Sequence, residues 1–232
     1  MSETLEKVSG IEYLPIFPLP LVLLPNELLP LHIFEPKYRQ MLKDIELKRN
    51  VFGVSRFEPA DDFENRPLPN SVGCVAEVRE VQPVPDERSN IVTTGLVRYR
   101  LLEYVDVGAP YLTAEVEFFE DDKENEDEIG PAADEVYELF NRIAKAAFKL
   151  SGNRGRLPEI PQAEPEPLSF LVTAAFNLDN ELKYQLLELT STLKRLEKLK
   201  SILEQSVGQM EESADIQKLA STNGHSNKKL DL

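Results

Sequence analysis

The amino-acid sequence predicts an α+β fold: a β-rich N-terminal part crossed by one helix, then a helical bundle that ends in a long helix. Three observations predict it. Upstream of residue 120 apolar residues recur mostly at period two, as in GCVAEVREV (73–81). Downstream of residue 130 the period becomes that of a helix, as in PAADEVYELFNRIAKAAFKL (131–150). Between them lies EDDKENEDE (120–128), seven acids and one lysine, which reads as a solvated linker.

The elements follow in order. Residues 1–10, MSETLEKVSG, are polar and mixed in charge and read as a flexible N-terminus. Residues 11–120 form the β-rich unit. Within it Glu35–Leu47 is helical: Pro36 suits the first turn, and Tyr38, Met41, Leu42 and Ile45 make an apolar stripe. Glu35 and Arg39, four apart, are placed to pair on its exposed side. VFGVSRF (51–57) reads as a short strand. The strand 73–81 is apolar on both parities and so mostly buried; with PDERSN (85–90) as turn and IVTTG (91–95) it reads as a hairpin. Gly95 suits a tight turn. A second pair is VRYRLLEYVDV (97–107) and YLTAEVEFF (111–119), joined through Gly108 and Pro110.

Residues 121–130 are the linker and 131–212 the bundle. Its helices are 131–150, starting at Pro131; 167–178, almost wholly apolar and so central; and 179–210, capped by Asp179 with a seam of Leu182, Leu186, Leu189, Leu193, Leu196, Leu203 and Val207. The segment 151–167, with two Gly and four Pro, reads as a long loop, and 213–232 as a disordered tail.

Composition excludes several functions. The 232 residues carry a net charge of −15, which opposes nucleic acid and anionic membranes. Five prolines between Ile11 and Ile33 rule against a membrane helix there, and the N-terminus has no signal-peptide core, so the expected location is the cytoplasm. Cys74 is the single cysteine and reads as a buried small hydrophobe. His32 and His225 give no zinc-ligand spacing, and no metal or other cofactor is expected. His32 reads as a structural histidine, and Arg98 and Arg100, which share a parity, as residues of a solvated face or partners of acids.

Four segments resemble one family in its own order: LPIFPLPLVLLPNELLPLHIFEPKYRQML (14–42), VGCVAEV (72–78), TGLVRYRLLEY (94–104) and PYLTAEVEF (110–118). The helical half adds LSFLVTAAF and YQLLEL, so the similarity covers about 11–208. This pattern resembles the Lon protease N-terminal, substrate-binding domain, in a stand-alone form. Asn26-Glu27 stands where that family often places Gly. The resemblance implies a PUA-like twisted β-barrel or sheet unit with one helix across it, followed by the helical bundle.

The chemistry of a complete Lon protease has no counterpart in the residues. There is no GxxxxGK[ST]; SGNRGR (151–156) lacks the lysine and hydroxyl a phosphate-cradling loop needs, and no sequence remains for a Ser–Lys peptidase. No catalytic residue is assigned. The resemblance therefore implies a binding module for unfolded or partly folded polypeptides, an adaptor or holder in protein quality control, with an ATP-dependent protease as partner. Phe34, Tyr38, Tyr99 and Tyr111 are the aromatics singled out for peptide contact, with core packing the competing role, and the groove between the two parts is the expected surface. Two alternatives stand beside it: a small-molecule-binding or enzymatic PUA-like barrel, and a structural subunit. The chain is expected to be a monomer, or a weak dimer through its last helix.

Overall fold

The computed structural model describes residues 2–58, 66–151 and 162–223. It contains α1 (Glu3–Val8), β1 (Leu14–Leu19), β2 (Leu28–Ile33), α2 (Pro36–Glu46), β3 (Val51–Arg56), β4 (Val72–Val84), β5 (Arg88–Tyr104), β6 (Leu112–Phe119), α3 (Glu126–Leu150), α4 (Pro165–Ala175), α5 (Asn180–Glu188) and α6 (Thr192–Asn223). The chain divides into two compact units, residues 1–122 with 173–190, and residues 123–172 with 191–232. Residues 173–190 belong to the first unit; a helical period does not say which core a helix joins. Among the described residues no helix is long and apolar enough to cross a membrane.

In the first unit the six strands lie in the order β2-β5-β4-β3-β1-β6, with a further pairing of β6 on β5. β1 and β3 are parallel and all other pairs antiparallel. The sheet thus curls back on itself, but its β1–β6 seam holds only three residue pairs, Leu14 to Ile16 against Leu112 to Ala114, short of an evenly closed barrel.

Both faces of the middle strands are buried, which is why both parities are apolar as far as Val78; beyond it, Arg79 to Pro83 are exposed. Phe52, Val54, Cys74 and Ala76 face one core, closed by Tyr38, Met41 and Ile45 of α2. Val51, Val75, Val97 and Tyr99 face the other, with Leu14 and Ile16. Residues 1–10 are not a loose end. Ser2 accepts from the Leu5 amide at 3.1 Å, caps α1 and hydrogen-bonds Glu120, and Val8 is buried in the second core.

The two expected hairpins share one strand. IVTTG and VRYRLLEY are continuous in β5, seventeen residues long, which pairs with β2 and β4 along its first part and β6 along its second. Gly95 makes no turn; it lies inside this strand. A Cβ there would overlap the Leu24 carbonyl oxygen. The bend before β2 presses on this spot: Asn26 N donates to Gly95 O at 2.8 Å and Gly95 N to Glu27 O at 2.9 Å. Asn26 takes φ 65°, the left-handed conformation that Gly would supply there at no cost. Arg39 does not pair with Glu35. It reaches Glu87 at 3.2 Å and the Asp86 carbonyl at 3.0 Å at the β4–β5 turn, while Glu35 pairs with Lys37.

The acidic run is not a free linker. Asp121 pairs with Arg98, and Asp122 exchanges bonds with Thr190. Helix α3 starts at Glu126, five residues before Pro131, because Asn125 caps it and the acids of its first turn sit at the positive end of the helix dipole. The expected helix 179–210 is two helices, broken at Leu189–Ser191. The Leu187 and Leu189 carbonyls turn to Arg98 at 3.1 and 2.6 Å, and Ser191 caps the second helix through the Lys194 amide at 3.1 Å.

In the second unit α3 packs on α6, and Val136, Ile143, Phe170, Leu196, Leu199 and Leu203 are all buried. Arg195 is buried there too, its guanidinium 3.9 Å from the Phe170 ring centre and its Nε donating to Ser169 at 2.7 Å. Helix α4 begins at Pro165 rather than 167. Residues 213–223, expected to be disordered, continue α6. The motif SGNRGR, beyond Ser151, and residues 224–232 lie outside the described residues.

Candidate functional site

The family-like motifs are architectural. Gly73 lies opposite Tyr99 across β4–β5, and a Cβ on Gly73 would sit 2.5 Å from the phenol ring. Gly53 on β3 is pressed by the same ring, and the Tyr99 hydroxyl bonds Ser55 at 2.7 Å. Ser55, Gly73 and Tyr99 form one row across three strands, with glycine making room for the aromatic side chain. Burial pushes the Tyr99 hydroxyl pKa up and that of Cys74 to about 12, so neither is a reactive group at neutral pH. Arg98 is only 1% exposed, with Asp121, two carbonyls and the Phe119 ring around it. Its partner is an acid, as one of the two readings had it, but the face is buried. Arg100 donates to the Asn70 carbonyl at 3.2 Å.

The four aromatics part company. Tyr99 and Tyr38 are core residues, with Tyr38 packed 4.0 Å from the Phe17 ring. Tyr111 is half-buried; its hydroxyl donates to Asp44 at 2.8 Å, and burial reinforced by that carboxylate pushes its pKa to about 12. It borders a cleft of about 480 Å³ with Ile11, Tyr13, Leu14, Ile45 and Val51. Phe34 alone is open, at 57% exposure, and its ring stacks on His32, centroids 5.9 Å apart.

Phe34 continues a row that the sequence reading passed over. Leu28, Pro30 and His32 of β2 all face solvent, Leu28 at 66% exposure, while Ile33 is buried and Leu29 and Leu31 pack on the core. His32 is held by Asn90 on β5 at 2.7 Å. It lies on the outer face of the strand. The signal was available: LLPLHIF is apolar on both parities, which elsewhere in the chain marks a strand covered on both faces, and here one face is bare.

The curled six-stranded sheet with its helices is an α+β architecture found in other proteins. Two solved Lon N-terminal domains share the architecture. The domain protein from Xanthomonas campestris aligns with a TM-score of 0.59 at 20% identity, over 82% of this chain and 97% of that one. The N-terminal domain of the Mycobacterium avium complex Lon protease aligns with a TM-score of 0.60 at 17% identity, over 83% and 98%. The family model for the ATP-dependent protease La (LON) substrate-binding domain matches residues 13–205, and the chain belongs to that family. Relatives include the Lon protease of Syntrophus aciditrophicus, 26% identical over 89% of this chain and 27% of its own length. That of Anaeromyxobacter dehalogenans is 29% identical over 82% and 22%. The chain thus spans about a quarter of the length of these relatives, and the matched part is the substrate-binding domain.

Proposed function

We propose that this chain is a non-catalytic module that binds exposed apolar segments of unfolded or damaged proteins in the cytoplasm and holds them for, or hands them to, an ATP-dependent protease. The match to the substrate-binding family over 13–205 carries the reading. The physical drive is removal of client side chains from water, at roughly 25 cal/mol per Å² of apolar surface. A disordered client loses conformational entropy on binding, so affinity should be modest, roughly micromolar. The test is fluorescence anisotropy with an unfolded model protein, its folded form and a scrambled polar peptide, at low and high salt. The unfolded form should bind at least tenfold tighter than the other two and keep binding in salt. Equal affinity for all three, or loss in moderate salt, would reduce the contact to charge attraction and end the proposal. The cleft beside Tyr111 supports a second reading, a small-molecule site; a stoichiometric ligand retained through purification and seen by native mass spectrometry would favour it.

A further inference from the structure

We infer that the open edge of β2 takes up an extended, apolar polypeptide segment with basic flanks as an added strand. The inference rests on the polypeptide-binding reading and names its site. β2 pairs with β5 and, among the described residues, with no other strand. The bond from Gly95 N to Glu27 O fixes the phase of this antiparallel ladder. Alternate residues turn both backbone groups to the partner, so Leu29, Leu31 and Ile33 turn theirs to β5. Leu28, Pro30 and His32 turn theirs to the open side. A client strand meets there three carbonyls and the amides of Leu28 and His32; Pro30 has no N–H to give. The side chains of the same three residues, with Phe34, form the bare apolar row. One edge therefore offers backbone bonds and a surface for alternate client side chains together.

The rest of the ribbon shows that this edge is unguarded. Beyond Val78, β4 pairs among the described residues only with β5, so its other side is unpaired there too. There the sequence is Arg79, Glu80, Val81, Gln82 and Pro83, the charges and proline that discourage strand addition. β2 carries no charged residue besides its flanks, Glu27 and Glu35. Those flanks, Glu27 bonded to the Leu24 amide and Glu35 paired with Lys37, and above all the chain's −15 charge select the occupant. A second copy pairing antiparallel about Leu31 would set Glu27 against Glu35 of its mate at both ends, with −15 facing −15. A client with Lys or Arg at its ends meets complementary charge instead.

The experiment is residue-resolved amide exchange by NMR on the full chain, with and without a peptide of alternating leucine and serine flanked by lysines. Free, the Leu28 and His32 amides should exchange fast and those of Leu29, Leu31 and Ile33 slowly. At saturation Leu28 and His32 should slow at least tenfold while the inner three stay unchanged. The same peptide N-methylated at alternate residues should bind at least tenfold more weakly. Leu28→Lys should weaken binding about tenfold with an unchanged urea midpoint, and His32→Pro should do so by removing an outward donor. Peptide binding with no change at Leu28 and His32 overturns the edge site and leaves polypeptide recognition standing. So does binding of unfolded protein but not of this peptide. Failure of both probes overturns the parent reading as well. Concentration-dependent protection of Leu28 and His32 without peptide, with dimers in light scattering, would make the occupant a second copy and overturn the client.

Discussion

The centre of the curled sheet and its β2 rim are both rich in apolar residues, yet they are built to opposite ends. At the centre every special residue answers another: Gly73 and Gly53 to the Tyr99 ring, Gly95 to the bend at Leu24, Arg98 to Asp121 and the carbonyls before α6. Along β2 only one edge is paired among the described residues: inward side chains join the core, while Leu28, Pro30 and His32 are exposed. The contrast teaches that the family-like motifs report on stability, and that the binding surface is to be sought where residues are left unanswered.

The largest effect should come from the most crowded point of the centre. In Gly95→Val the new side chain meets Leu24 backbone, which cannot swing aside as a side-chain tip would. The loss should exceed about 5 kcal/mol, enough to unfold an ordinary domain. Circular dichroism and urea titration check it. A stable Gly95→Val variant would mean that the bend before β2 is free to move, and the contrast between centre and rim would blur.

Next comes Arg98→Met, which keeps the stem's packing but strips a buried carboxylate and two carbonyls of the guanidinium. Removing one partner of a buried ion pair costs about 3–5 kcal/mol. Adding Asp121→Leu should recover part of the loss, because no charge then stays buried alone. If Arg98→Met costs under about 1 kcal/mol, the pair belongs with surface salt bridges, and the solvated-face reading of Arg98 regains its place.

The same contrast explains what the sequence disclosed. The helix at Tyr38–Ile45, the strand at 73–81, buried as far as Val78, and the hairpin turns followed from local spacing, which depends on near neighbours alone. The pairing of Arg98 did not, since its partner stands 23 residues on, inside an acidic run that reads as solvated until a buried cation claims one of its members. Nor did the break in the long helix: LTST continues a leucine seam, and it takes Arg98, drawing off two carbonyls, and Asp122, bonded to Thr190, to make stopping there favourable. Of the candidate aromatics, Tyr38 and Tyr99 were drawn into the core because period two and period 3.6 show which residues share a face and not which face is covered. Phe34 was legible as a candidate; that Leu28 and Pro30 stand beside it required knowing that β2 is the end of the sheet.

The smallest effect sits where centre and rim meet. Glu27 closes the bend that rests on Gly95 and leads directly into β2. Its carboxylate accepts the Leu24 amide at 2.9 Å, yet burial outweighs that bond and the distant Lys183, and its pKa is raised above the ordinary glutamate value. A raised acid pKa means that the folded chain holds its proton more tightly than the unfolded chain does. Across the window from the ordinary value up to the raised one, the folded state binds more protons, so stability falls as pH rises through that window and the loss is complete above it. Glu27→Gln cannot ionise and still offers an oxygen to Leu24 N. Its advantage over the parent should therefore be near zero below the ordinary glutamate range, grow as pH rises through the window, and level off by neutral pH, remaining smaller than either effect above. Urea midpoints of both proteins from pH 4 to pH 8 measure it. If the parent instead gains on Glu27→Gln as pH rises, the amide and Lys183 dominate over burial, and Glu27 belongs with the answered residues of the centre rather than with the strained approach to the open edge.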